Sequence, residues 1–348
     1  MSRPIVPHAP ADRGSGRPSS SAFRSGQKGA ALIVVLLLAA TLSFVALAIS
    51  ERTVLAAQRA VHARARAEAL WRAFGAEALA AAALAAAARE TPERMTLDEP
   101  WIERPIEVPM EGGRAVIWFA DAGRCFNLNG LVRADGDQLY VAREGAGEEL
   151  AALLDAAGAG AGEAARLAVL VQDWIDADSL SAPQGAEDGY YLGLPVPYRT
   201  GGTLLADETE MRALADMTPE FYAFVRRYAC ALPTPEPSPL NVNMLRAEDA
   251  PLLVGLLKGA ISLAAAQDVV ADRPPGGYGA VDEFWSHRAF EDVDATQDVR
   301  NRVAITSRYI AARAEIEYEG VAREARMLFE IGEGGRVRLL RRRLGPDA

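Results

Sequence analysis

Five carboxylates crowd one short stretch of this chain. The run Asp173-Trp174-Ile175-Asp176-Ala177-Asp178 leads to Glu187-Asp188-Gly189-Tyr190-Tyr191, and no lysine or arginine falls between Asp173 and Asp188. Like charges this close repel unless water solvates them or a cation neutralises them. Calcium favours such clusters of hard oxygen donors, completed by backbone carbonyls. A solvated acidic loop at a helix N-terminus, favoured by the helix dipole, is the other reading. The spacing is not that of an EF-hand loop, so the residues alone leave both readings open. A second acidic group, Glu291-Asp292, Asp294 and Asp298, is flanked by Arg288 and Arg300 and reads as charged surface, with the option of lending ligands to the first.

Catalysis has little to work with. The histidines are His8, His62 and His287, and only His287 falls where a general base would be useful. No P-loop, G-x-S-x-G or H-E-x-x-H occurs, so no enzyme activity is assigned. The two cysteines, Cys125 and Cys230, lack metal-ligand spacing. In an oxidising compartment they form one disulfide or remain two separate buried thiols. Each precedes an asparagine pair, Asn127 with Asn129 and Asn241 with Asn243. Asparagines so placed hold turn backbone, and both pairs read as structural joints where an inserted domain meets a sheet.

These groups need elements to hold them. Gly29 to Ser50 is an uncharged run, GAALIVVLLLAATLSFVALAIS, which as a helix spans roughly 33 Å, about one hydrocarbon core. A secretory signal peptide has a shorter apolar region, so the run reads as a membrane span. Residues 1–29 carry a net +4 and the rest of the chain −14, out of a formal total of −10. The basic leader stays cytoplasmic and the acidic body goes outward. Such a body is a poor nucleic-acid binder. Helical signal continues past Ser50 to Arg89, with no proline and only Gly75 as glycine. Its outer half reads as amphipathic, with Leu70, Trp71, Phe74, Ala78 and Ala81 as the apolar stripe.

The basic leader, Lys28-Gly29 and the apolar run starting at Ala30 resemble a type IV prepilin signal. Glutamate is usual at the fifth mature position, which here is Val34. That absence, with the D-W-I-D-x-D…G-x-E-D-x-Y, F-N-L-N and N-x-N motifs, resembles the protein K family of type II secretion minor pseudopilins. Two departures from the family pattern stand out: Ala30 where an aromatic or methionine is common, and Met244-Leu245 where threonine-alanine follows the second asparagine pair. The resemblance implies a prepilin peptidase cut between Gly29 and Ala30, methylation of the new terminus and a place in the inner membrane with the body in the periplasm. It further implies a tip complex with I- and J-type minor pseudopilins, and calcium in the helical domain, with Asp176, Asp178, Glu187 and Asp188 as candidate ligands.

The expected fold is α+β. A long N-terminal helix, transmembrane over 30–50 and amphipathic over 51–90, packs on a small antiparallel pilin-like sheet. The sheet is drawn from 91–130 and 301–343, with an α-helical domain inserted at 131–300. Alternation over 308–318 and 325–331 marks two strands joined by the hairpin Glu319-Gly320. A third follows Gly332 to Gly335, and Ala115 to Phe119 marks an earlier one. Helices are expected near 147–156, 162–175, 207–228, 245–271 and 279–291. The stretches Glu210 to Cys230 and Leu252 to Trp285 also resemble short helix-turn-helix units of the kind found in helix-hairpin-helix DNA binding, although the glycine-rich hairpin that would present amides to phosphate is absent. They leave a membrane-anchored, competence-like DNA-binding protein as the alternative function.

Overall fold

The computed structural model describes residues 26–90, 93–136, 139–237 and 239–345, with side chains from Ala30 onward. The leader expected over 1–29 thus lies outside the described residues, apart from the backbone of 26–29. Helix α1 runs unbroken through Gly26–Glu90. It is shared by two compact units, one ending at Arg64 and the other beginning at Ala65. In the first unit Leu36, Leu42 and Phe44 are exposed, and the helix is long and apolar enough to cross a membrane.

In the second unit α1 meets a sheet. Ala73, Ala76, Ala80 and Leu84 share a core with Ile117, Phe119, Ile310, Ile316 and Phe329. This corrects the expected stripe, because Trp71 is 70% exposed and Ala78 is exposed too. The sheet supplies the bulk, so the helix approaches it mainly through alanines and Leu84, while Trp71 turns outward. Helix α2 (Pro100–Glu103) follows, then β1 (Ile106–Met110) and β2 (Gly113–Asp121). Pro109 is tolerated because β1 is an edge strand.

The chain then leaves the sheet. It passes through β3 (Phe126–Asn127), β4 (Val132–Ala134), β5 (Tyr140–Ala142), α3 (Ala146–Ala157), α4 (Ala161–Ile175), α5 (Asp188–Tyr191), α6 (Pro219–Val225) and β6 (Ala229–Cys230). After these come β7 (Leu240–Asn241), α7 (Ala250–Leu256), α8 (Leu263–Ala271), α9 (Val281–Trp285), α10 (Gln297–Asn301) and β8 (Val303–Ala304). These elements bury a core of their own, running from Leu128 to Val303. Helices α3 and α4 lie where the periodicity places them. The longer helices expected over 207–228, 245–271 and 279–291 are broken. Asp216 turns left-handed at φ 59° ahead of Pro219, and Lys258 and Gly259 do so at 51° and 80° between α7 and α8. Local turn chemistry overrides the apolar period there.

The chain returns as β9 (Tyr309–Tyr318), β10 (Val321–Gly332) and β11 (Arg336–Leu344). The five strands run in the order β1-β2-β9-β10-β11, and every pairing is antiparallel. Glu319 and Gly320, at φ 46° and 75°, form the two-residue turn between β9 and β10. The fold is α+β: a long N-terminal helix, an antiparallel sheet, and a large helical insert between β2 and β9.

Candidate functional site

Helix α4 carries the acidic run to its place. Leu167, Leu170, Val171 and Trp174 are buried on one side, fixing the helix end that releases Asp176 into the loop. Beyond it, single carboxylate oxygens of Asp176, Asp178 and Glu187 come within 4.8 Å of one another. Asp176 and Glu187 are buried and Asp178 is exposed. Asp176 Oδ1 and Glu187 Oε1 are buried with no hydrogen-bond partner. A buried polar atom left unpaired costs about 1–3 kcal/mol, more if charged.

The electrostatics agree. Burial, then the charges of Asp178, Glu187 and Asp173, push the Asp176 carboxyl up to about 7. Burial also raises Glu187 and Asp173. The other carboxylates near this group have different work. Asp173 accepts from the Ala182 N–H at 3.2 Å and the Ser181 hydroxyl at 3.3 Å, folding the loop back on the helix end. Gly185 is required there, because a Cβ would lie 1.9 Å from Asp173 Oδ2. Asp188 stands apart from the three. It accepts from the Thr200 N–H at 3.0 Å and from Arg199 at 2.6 Å, and the Thr200 bond holds its carboxyl below the usual range. Among the described residues, Glu291, Asp292, Asp294 and Asp298 add no oxygen to the group.

Two asparagine joints frame the insert. Asn127 Oδ1 accepts from the Leu232 N–H, and its amide donates to the Thr234 and Glu236 carbonyls. Asn129 grips Leu205 from both sides, accepting from its N–H at 2.8 Å and donating to its carbonyl at 2.9 Å. Asn243 does the same to Tyr278, at 2.7 and 3.1 Å. Only Asn241 reaches out of the insert, donating to the Met95 carbonyl and the Ser307 hydroxyl. Ser307 in turn donates to buried Asp121, whose carboxyl burial pushes up to about 6.

Each first asparagine sits in a short parallel pair, β3 with β6 and β7 with β8. Cys125 and Cys230 are joined by a disulfide beside the first pair, with Cα atoms 5.9 Å apart. Glu149, 3% exposed, takes paired hydrogen bonds from both Arg143 and Arg302. Burial pushes its carboxyl up, but the two guanidiniums outweigh burial and hold it below the usual range. This triad was missed in the sequence because Arg302 lies 153 residues from Glu149 along the chain. His287, the one candidate base, accepts from the Ala289 N–H through Nδ1 and faces Asp272 at 3.2 Å, which is a turn-holding role.

The hairpin between α7 and α8 uses its amides internally. Lys258, Gly259 and Ala260 N–H groups donate to Gly255, Val254 and Leu257 carbonyls. They are not free to receive phosphate, which disfavours the DNA-binding reading. The insert also matches known proteins. Family models described as "Type II secretion system (T2SS), protein K" match residues 124–234 and 240–306. A protein K from Pectobacterium carotovorum is 30% identical over 93% of this chain and 98% of its own length. The chain belongs to the type II secretion system protein K family.

The Klebsiella pneumoniae protein K is 32% identical over 82% of this chain and 87% of its own length. One chain from the crystal structure of the GspK-GspI-GspJ complex of enterotoxigenic Escherichia coli superposes with a TM-score of 0.71 at 26% identity. That match covers 83% of this chain and all of the other. The boundary between the two protein K segments falls between the two asparagine joints. Members of this family are minor pseudopilins of type II secretion, and this chain is one of them.

Proposed function

We propose that this chain caps the tip of a type II secretion pseudopilus and helps to start its assembly. Its partners there are I- and J-type minor pseudopilins, as in the complex that the related solved structure contains. One observation carries the reading: Val34 stands where shaft subunits carry a glutamate. A subunit without that carboxylate cannot pair with a neighbour's terminal amine, and an unpaired charge at membrane depth costs on the order of 2.5 kcal/mol or more. The helical insert adds bulk that a subunit stacked above would meet. The protein sits in the inner membrane through α1, with its body in the periplasm, after a prepilin peptidase cuts between Gly29 and Ala30. No catalytic role is assigned.

Calcium belongs to the same reading. Asp176, Asp178 and Glu187 would hold it, with Asp173 and Asp188 shaping the loop on either side. The unpaired buried oxygens of Asp176 and Glu187 support the fit. The ion would supply the positive charge that lets this loop stay ionised and ordered. In detergent extracts the chain should copurify at parity with two partner minor pseudopilins, and gold label should mark fibre ends. Label spread along the shaft contradicts the cap. A chain isolated with residues 1–29 intact, despite an active peptidase, contradicts the processing step.

A further inference from the structure

The sheet has a second face, turned away from α1, and the register places a row of like charges on it. Trp118 on β2 pairs with Arg313 on β9, Arg313 with Arg326 on β10, and Arg326 with Arg343 on β11. Three arginines therefore stand side by side on adjacent strands. Like charges directly opposite one another in a sheet are destabilising. One step along, Ala120, Ala311 and Leu328 form a small apolar floor. The insert overhangs this face with Arg226 and Arg227, just past the end of α6. Between floor and overhang lies a cleft of about 510 Å³, within the size range of ligand pockets.

Each arginine of the row has a carboxylate partner, yet seven arginines against three carboxylates line the cleft. Arg313 pairs with Glu315 at 3.3 Å and lies 4.6 Å over the Trp118 ring, Arg326 pairs with Glu324, and Arg343 pairs with Asp207 at 2.8 Å. Arg227 is exposed and has no ion-pair partner among the described residues. All of this sits in a chain of formal charge −10, so the cleft is a local reversal of sign.

We propose that this cleft binds an acidic peptide segment of another protein, with carboxylates against the arginine row and an apolar side chain on the alanine floor. Forked guanidiniums suit carboxylates, and Arg227 is positioned to close over the segment. An apolar floor is of no use to a bare inorganic anion. Nucleic acid needs a basic track longer than this cleft.

The test uses the full chain in detergent and a short fluorescein-labelled peptide alternating glutamate and leucine. Anisotropy should report binding that weakens with salt, as expected for charge recognition. Arg227→Glu with Arg313→Glu should weaken it by about tenfold or more. Arg114→Glu, on the same sheet face outside the cleft, should leave it unchanged. Circular dichroism melts check that each variant folds, and both substituted cleft arginines are exposed. The proposal fails if the peptide does not bind, if the double variant binds it equally, or if a lysine–leucine peptide binds as well. It fails equally if inorganic phosphate or a single-stranded oligonucleotide displaces the peptide at matched charge. Self-association of the chain through the cleft assigns it to a second copy and overturns the proposal.

Discussion

The two halves of the insert are built alike and used differently. Each opens with an asparagine pair whose first member accepts a bond from the second's N–H, at 3.3 Å for Asn127 and 3.0 Å for Asn241. Each then runs through a helix pair, α3 with α4 and α7 with α8, and each second asparagine clamps a returning segment. The difference lies in that return. In the second half the chain goes from Ala271 to the clamped Tyr278 almost directly, past Gly277, whose Cβ would meet the Asn243 amide at 2.7 Å. In the first half it travels from Ile175 to Leu205 and carries the acidic group on the way. The short return is held by the Asn243 hydrogen bonds and by the buried Tyr278 ring packed on Phe284. The long one carries Asp176, Asp178 and Glu187, with buried oxygens of Asp176 and Glu187 left unpaired, so the cation site we propose falls in one half only.

The strongest test of this pairing is the residue that spans it. Arg143 belongs to the first half and Arg302 to the second, and Glu149 holds both. Glu149→Ala should lower stability by about 3–5 kcal/mol in denaturant titrations, because it removes the carboxylate partner of buried Arg302 and half-buried Arg143. Next comes the disulfide, found in the first half alone. Removing it as Cys125→Ala with Cys230→Ala should cost about 2–4 kcal/mol. Hydrogen exchange should rise around β3 and β6 and stay unchanged around β7 and β8. Equal loosening of both halves would break the comparison.

If the joints are equivalent, Asn129→Ala and Asn243→Ala should each cost about 1–3 kcal/mol, since each strands a buried N–H and carbonyl. A large inequality between them would show that the resemblance is local geometry only. The smallest effect concerns Asp121, which meets the second joint through Ser307. Its folded carboxyl is raised from 3.8 to about 6. The folded state thus binds this proton more tightly, and stability contributed below the unfolded value is lost as pH rises through the folded one. Between about pH 5 and 7 the loss should be about 1 kcal/mol, and Asp121→Asn should flatten that part of the profile.

Much of the architecture was legible in the residues. Strict alternation at Ile310, Ala312, Ala314 and Ile316 placed β9, and Glu319-Gly320 placed the hairpin, because strands and two-residue turns are specified locally. The apolar run from Ala30 and the missing glutamate at Val34 marked the family before any coordinates. The buried face of α1 was not legible. An alanine-rich helix is nearly as apolar on one side as another, and the sheet chooses which alanines it covers. Within the acidic stretch, charge content singled out the loop but not how its carboxylates divide between hydrogen bonds and the three-oxygen group. Asp188 reads like Glu187 in sequence, and only Arg199 and Thr200, placed by the fold, draw it away. The arginine row was hidden for a related reason: register across strands is a tertiary fact, so Arg313, Arg326 and Arg343 look unrelated along the chain.

The cation site proposed for the Asp176–Glu187 loop is confined to the first half of the insert. Hydrogen exchange of the full chain in detergent, with calcium and then with chelator, tests it directly. Calcium should slow exchange across 176–188 and leave 272–279 as it was, and Asp176→Asn with Glu187→Gln should abolish the difference. Equal exchange with and without calcium, or equal slowing in both returns, would contradict it.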